Sequence, residues 1–249
     1  MSKKYIKSYE INYHDVNCNL KCKLSSIMNF LCDIGNCQSE ELGDTIEHLL
    51  ESNGAWVFYK YDIKVHKYPK YRDIITIETQ SIGFKKFYAY RGYTIKDSLG
   101  NILVEAVALF FLINIEKRRP MRIPDEKYII YGEDKNISKE VEMEEIKNIK
   151  RVDNEKSFQI RYSDIDSNGH VNNVKYVELA IEAVPQEIVS KCNLERVKVI
   201  FEKETTYGDI VSILTEVEEV NENLYITSHV IKSKDGKELT KLEMHWNRE

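Results

Sequence analysis

The chain has 249 residues, of which 42% are hydrophobic and 10% aromatic, so it can form one large domain or two small ones. Charges of both signs are mixed and the net charge is −5, which gives no reason to expect nucleic-acid binding. The longest apolar run, residues 106–113, is far below the about 20 residues that a transmembrane helix needs, so we expect no membrane span.

The cysteines and the N-terminus favour a cytoplasmic protein. The first residues, Met-Ser-Lys-Lys-Tyr, lack the apolar segment of a signal peptide. The five cysteines are an odd number without a C-x-x-C pair, which favours reduced thiols over disulfides or a metal site. We therefore expect neither a bound metal nor a cofactor.

The first half predicts one helix followed by strands. Residues 5–15 alternate loosely and predict a strand, and the next apolar stripe predicts a helix through Leu24, Ile27, Met28, Leu31 and Ile34. The connection 43–54 has a helical turn near residues 46–50. Four further segments then predict strands at 56–65, 74–81, 87–96 and 102–115, with a turn at 97–100.

The segment 133–155 is mostly charged and carries few large apolar side chains, which predicts a linker on the surface. We therefore predict an N-terminal domain over residues 1–132 and a C-terminal domain over residues 156–249. A single chain of this kind would be a pseudo-dimer, either monomeric or forming a homodimer.

The second half repeats the order of the first. Asp73 and Asp209 lie in matching segments 136 residues apart, as do the turn glycines Gly100 and Gly236. Upstream, Asp15 and Asp164 follow matching tyrosines at an offset of 149, so the first copy has 13 extra residues, which we place in the connection 43–54. Each copy is predicted to be α+β, with an antiparallel sheet wrapped around a long helix.

Residues 161–176 carry the densest set of chemical groups in the chain. Asp166, Asn168 and His170 are two apart, so in an extended segment their side chains point to the same side. Asn172 and Asn173 resemble a helix N-cap, before an apolar stripe that ends at Pro185. These groups suit activation of a water molecule beside a helix N-terminus, although the same residue types also build turns and caps.

The first copy lacks two of the three groups. Counting from Asp15, Asn17 stands in the place of Asp166 and Lys21 in the place of His170. Only the asparagines agree, so chemistry that needs the trio is expected in the second copy alone.

The full motif, Arg-Tyr-Ser-Asp-Ile-Asp-Ser-Asn-Gly-His-Val-Asn-Asn-Val-Lys-Tyr, resembles that of the acyl-acyl carrier protein thioesterases. The resemblance continues at residues 181–185 and, in the first half, at 8–11, 27–30, 55–57, 68–69, 118–119 and 123–124. It implies a tandem, or double, hotdog fold. It also implies hydrolysis of the thioester between a fatty acyl chain and the phosphopantetheine arm of an acyl carrier protein.

The resemblance places the family's catalytic Asp, Asn and His on Asp166, Asn168 and His170. Backbone N–H groups of Val171, Asn172 and Asn173 are then candidates for an oxyanion hole. The family's second catalytic segment carries Glu-Cys, where this chain has Thr206 and Tyr207, and Glu204 is the nearest acid. We expect Thr206 to orient the water, with Glu204 as the alternative.

The acyl chain needs an apolar tunnel, which we expect in the first half, with candidate lining residues Trp56, Phe58, Phe110 and Phe111. Residues 85–86 and 117–119 are basic candidates for contact with the carrier protein.

Three alternatives remain at this point. Acyl-coenzyme A carries the same pantetheine arm and would suit the same site. A hydratase of this fold typically has Asp and His separated by four residues, whereas three separate Asp166 from His170. Asp164-x-Asp166-x-Asn168-Gly169 begins like a calcium-binding loop, but Lys175 stands where the twelfth-position Glu belongs.

Overall fold

The computed structural model describes residues 2–137 and 140–248. The chain divides into two compact units: the first runs to Lys60 and from Val65 to Met143, and the second comprises Tyr61–Lys64 and the chain from Glu144 onward. The predicted domain limits at residues 132 and 156 stay a prediction.

The first unit is an antiparallel sheet with one long helix. Its helices are α1 (Leu24–Glu41), α2 (Ile46–Glu51) and α3 (Asp125–Tyr131). Its strands are β1 (Lys4–Glu10), β2 (Gly54–Val65), β3 (Ile74–Lys85), β4 (Tyr88–Lys96), β5 (Ile102–Asn114) and the short β6 (Arg119–Pro120). The strand order is β1-β3-β4-β5-β2, with β6 paired to β5. The stripe of α1 is buried at every position the sequence predicted, from Leu24 to Ile34.

The second unit repeats this plan. Its strands are β7 (Asn154–Gln159), β8 (Cys192–Phe201), β9 (Ile210–Asn221), β10 (Leu224–Ser233) and β11 (Glu238–Arg248), in the order β8-β11-β10-β9-β7. Its helices are α4 (Asn173–Glu182) and α5 (Gln186–Lys191). Helix α4 packs on β9, β10 and β11.

The extra residues of the first copy were expected in the connection 43–54, and that expectation is wrong for most of them. Helix α1 has 18 residues and α4 has 10, while α2 and α5 have six each. The insertion therefore mainly lengthens the central helix, which the apolar stripe supports because it covers more of the sheet.

Two other elements differ from the prediction. The predicted strand 5–15 stops at Glu10, and a short 3-10 turn, Tyr13–Asp15, follows. Helix α3 was not predicted, although Pro124 and the left-handed Gly132, with φ of 70°, mark its two ends.

Candidate active site

The loop before α4 is shaped by buried Asp164. Its carboxylate accepts from the Arg161 backbone N–H at 2.8 Å, and the Arg161 guanidinium binds both of its oxygens. Burial opposes ionisation of Asp164, but these hydrogen bonds from Arg161 outweigh it and lower the carboxyl pKa. Asp164 thus anchors the loop and has its oxygens occupied.

Asp166 closes the next turn of this loop. Its backbone N–H donates to the His170 carbonyl at 2.8 Å, and its Oδ1 accepts from the Asn168 N–H at 2.8 Å and the His170 N–H at 3.4 Å. Gly169 has φ of 79°, a conformation that glycine adopts without strain. The trio therefore sits on a tight turn rather than on an extended strand.

The imidazole of His170 faces Glu204. Its Nε2 lies 3.2 Å from Glu204 Oε2, and the two side chains are 36% and 49% exposed. A backbone hydrogen bond also holds the segments of His170 and Glu204 together, because the Val171 N–H donates to the Thr205 carbonyl at 3.0 Å. Glu204, which sequence reasoning gave as the alternative acid, is therefore the carboxylate that the structure brings to the histidine ring.

Thr206 has a different partner. Its hydroxyl lies 3.2 Å from Asp209 Oδ2, which also accepts from the Thr206 N–H and from the Thr205 hydroxyl. These bonds lower the pKa of the Asp209 carboxyl. Thr206 is exposed and serves the turn before β9, so the role of orienting the water is withdrawn from it. Asp209, which the sequence reading did not single out for the site, fixes the segment that carries Glu204.

Two of the three expected oxyanion donors are already used. The Val171 N–H bonds the Thr205 carbonyl and the Asn172 N–H bonds the Asp164 carbonyl at 2.9 Å. An amide that donates within the fold is not available to a substrate oxygen, so the assignment of these two is corrected. Asn173, the first residue of α4, is the only one of the three for which the described residues supply no hydrogen bond to the N–H.

Asn172 is the helix cap that the sequence predicted. Its side-chain oxygen accepts from the Val174 N–H at 3.0 Å, at the first turn of α4. The buried residues of the helix are Val174, Tyr176, Val177 and Ala180, so α4 holds the loop against the sheet.

The four aromatic candidates do not share one surface. Phe58 and Phe110 are in edge-to-face contact at 4.8 Å between ring centroids, whereas Phe111 packs on Tyr59 at 4.7 Å. Phe110 and Phe111 are consecutive on β5, so their side chains lie on opposite faces of the sheet. A single tunnel cannot be lined by all four, and Phe111 is removed from the set.

Trp56 belongs with the first group and is fixed by a buried acid. Its indole N–H donates to Asp44 at 2.9 Å, and its ring packs 6.4 Å from Phe84. Asp44 also accepts from Tyr131 and forms an ion pair with buried Lys127. Trp56 and Phe110 border the apolar cluster that contains Phe84.

Other expectations concern metals and membranes. Within residues 2–137 and 140–248, no group of three or more His, Cys, Asp or Glu side chains could hold a metal ion. Asp164, which would open a calcium loop, is bonded to Arg161 instead. None of the helices in the described part of the chain is long and apolar enough to cross a membrane.

Comparison with known proteins identifies the family. The acyl-ACP thioesterase N-terminal domain matches residues 2–131, and the corresponding C-terminal domain matches residues 147–248. An oleoyl-acyl carrier protein thioesterase of Arabidopsis thaliana is 25% identical over 228 residues, covering 85% of this chain and 63% of that protein. The chain spans less than two thirds of the length of the first curated relatives it matches.

Solved structures establish the fold class. A Lactobacillus plantarum protein assigned as an oleoyl thioesterase has a TM-score of 0.93 at 22% identity, covering 99% of this chain and 97% of that chain. The 12:0-ACP thioesterase from Umbellularia californica has a TM-score of 0.86, also at 22% identity, covering 99% and 94%.

The molecule is therefore an α+β double hotdog protein, as the sequence resemblance implied. Because the two family models together match most of the chain, it belongs to the acyl-ACP thioesterase family.

Proposed function

We propose that the protein hydrolyses the thioester of fatty acyl-acyl carrier protein, releasing a free fatty acid and the carrier with its free thiol. The observation that supports this most is the contact between His170 Nε2 and Glu204 Oε2, made in the copy that carries the family motif. A histidine held by a carboxylate is the arrangement that general base catalysis by imidazole uses.

The proposed reaction begins with His170 taking a proton from a water molecule. The resulting hydroxide oxygen bonds to the thioester carbon, while the negative charge of Glu204 stabilises the imidazolium. The Asn168 amide and the Asn173 N–H donate to the developing oxyanion. When the C–S bond breaks, His170 returns the proton to the departing thiolate. No side-chain nucleophile is needed, and the reaction requires no cofactor.

Asp166 has a supporting part in this proposal. Its carboxylate oxygen holds the backbone N–H groups of Asn168 and His170 and thus fixes the turn that presents both side chains. We assign the contact with the imidazole ring to Glu204 rather than to Asp166.

The acyl chain is proposed to lie in the first unit, against Trp56, Phe58 and Phe110. These three rings border or adjoin the apolar cluster around Phe84 and Leu112.

The test is hydrolysis of one acyl chain on two carriers. Wild-type protein and His170→Ala are given the same acyl group on acyl carrier protein and on coenzyme A, and thiol release is followed. We expect a higher kcat/KM on the carrier protein and loss of both activities in the variant. Equal kcat/KM on both thioesters would point to an acyl-coenzyme A thioesterase, and no release from either would contradict the proposal.

Two further proposals come from the sequence. We propose a cytoplasmic protein of fatty acid biosynthesis, and a pseudo-dimeric chain that is either a monomer or a homodimer. Cell fractionation and light scattering of the purified protein test them separately.

A further inference from the structure

Two buried hydroxyl groups lie beside the ring of Phe201, the last residue of β8. Tyr176 is 2% exposed, and its ring centroid lies 6.0 Å from that of Phe201. Thr240 on β11 is fully buried and is the cross-strand partner of Phe201. In the described part of the chain neither hydroxyl reaches a partner within the geometric limits of a hydrogen bond. A buried polar group without a partner lowers stability, so it calls for a reason.

The first copy shows that the fold does not need these hydroxyls. The offset of 149 places Ile27 at the position of Tyr176, and the offset of 136 places Val65 and Val104 at those of Phe201 and Thr240. All three aliphatic residues are buried. The same helix-on-sheet contact is therefore made with apolar side chains alone.

The backbone N–H group beside Tyr176 also differs between the two copies. The backbone of Thr205 is close enough to Tyr176 to favour its ionised form, and within the described residues the Thr205 N–H donates to no other group. The residue at the matching place in the first copy is Pro69, which has no N–H. The hydroxyl and the N–H are thus present together in the second copy and absent together in the first.

The carbonyl at this place is used identically in both copies. Thr205 O accepts from Val171 at 3.0 Å, and Pro69 O accepts from Cys22 at 2.7 Å. The difference between the copies is therefore confined to the N–H side of this peptide, next to Glu204. Burial, together with the nearby carboxylates of Glu204, Asp166 and Asp209, raises the pKa of Tyr176 despite the opposing effect of Thr205, so the phenol stays protonated at neutral pH.

We propose that Tyr176 is a positioning residue for the reaction: its hydroxyl accepts a hydrogen bond from the Thr205 N–H and so holds the adjacent Glu204 carboxylate against His170. The catalytic effect of this contact rests on the proposed thioester hydrolysis. The hydrogen bond between Tyr176 and Thr205 does not depend on it.

Removing the hydroxyl alone tests the proposal. Tyr176→Phe is expected to lower kcat about tenfold, the effect of one neutral hydrogen bond, with KM unchanged and a melting temperature slightly below that of wild type, because the Thr205 N–H loses its acceptor. In a Glu204→Gln background the same change should have no further effect on kcat, because the carboxylate it positions is gone. Thr240→Val removes the other hydroxyl beside Phe201, and this control should leave kcat as in wild type.

Both the positioning role and the hydrogen bond itself can be contradicted by measurement. Normal kcat in Tyr176→Phe, or an equal further loss in the Glu204→Gln background, would overturn the positioning role. Amide exchange of Thr205 tests the pairing without any turnover: we expect faster exchange in Tyr176→Phe than in wild type. Unchanged exchange contradicts the pairing, whereas wild-type protein that hydrolyses neither thioester contradicts only the proposed function.

Discussion

The turns before α1 and before α4 share the same pattern of hydrogen bonds but carry different side chains. Asn17 N–H donates to the Lys21 carbonyl at 2.9 Å, as Asp166 does to His170 at 2.8 Å. The Asn17 side-chain oxygen accepts from the Asn19 and Lys21 N–H groups, as Asp166 Oδ1 does from their counterparts. The hydrogen bonds that shape the loop have therefore been kept in both copies.

The side chains that could act on a substrate have not been kept. The pair His170 and Glu204 of the second copy corresponds to Lys21 and Tyr68 in the first. Lys21 is paired with Lys70 by an isolated antiparallel backbone bridge. The loop shape alone carries no chemistry, because these three hydrogen bonds to backbone groups reproduce it in the first copy without the imidazole or the acid.

Removing the two matching residues at position 170 and position 21 should separate the two copies by the largest effect. His170→Ala should lower kcat on acyl carrier protein thioester by 10² or more, because a general base is lost. Lys21→Ala, its match in the first copy, should keep kcat near wild type. A comparable loss in both variants, with both proteins folded by circular dichroism, would show that the copies are not divided in function.

The second prediction concerns the acid. Glu204→Gln keeps the shape but removes the charge beside His170, and we expect kcat to fall roughly 10- to 100-fold. Thr206→Ala should change kcat less than about twofold, since its hydroxyl is bonded to Asp209. This reverses the order expected from sequence position. Steady-state rates of the two variants decide it, and a larger loss in Thr206→Ala would restore the original assignment.

The third prediction concerns the pH dependence of stability that the second copy contributes and the first does not. His229 is fully buried between Thr215 and Thr227, and burial lowers its pKa to about 3, whereas the first copy has Tyr93 at this place. Because the unfolded chain takes up this proton below about pH 6.5 and the folded chain does not, stability falls as the pH drops from 6.5 towards 3.

This contribution amounts to about 2 kcal/mol between pH 7 and pH 5. Urea unfolding of wild type and His229→Gln across this range measures it, and the difference between the two proteins should shrink as the pH falls. Parallel pH curves for the two proteins would mean that His229 does not titrate as its burial requires.

The smallest effect is expected at the turn itself. Gly169 has φ of 79° and Leu20, its match, has φ of 57°. A Cβ on Gly169 would meet no atom within 4 Å, so Gly169→Ala adds only backbone strain, about 1 kcal/mol of unfolding free energy. Leu20→Gly should change stability by less than that, because relief of strain is offset by the added freedom of the unfolded chain. Thermal unfolding of both variants checks this order.

Much of the fold followed from the sequence alone. The stripe from Leu24 to Ile34, the four strands after it and the cap at Asn172 were all predicted, because periodicity and capping are local properties of the chain. The two offsets, 149 and 136, also predicted the repeat. The hydrogen bond from Cys22 to Pro69 matches the one from Val171 to Thr205, because the donors are 149 residues apart and the acceptors 136.

Tertiary structure decided the partners within the candidate site. Glu204 and Thr206 are two residues apart after the end of β8, so no local rule tells which of them faces His170. The backbone bond between Val171 and Thr205 sets that choice by fixing how the two segments lie side by side. In the same way, the neighbours of Tyr176 became visible only in the packed fold. Which groups meet across distant segments depends on packing and on backbone hydrogen bonds, and the order of residues does not contain it.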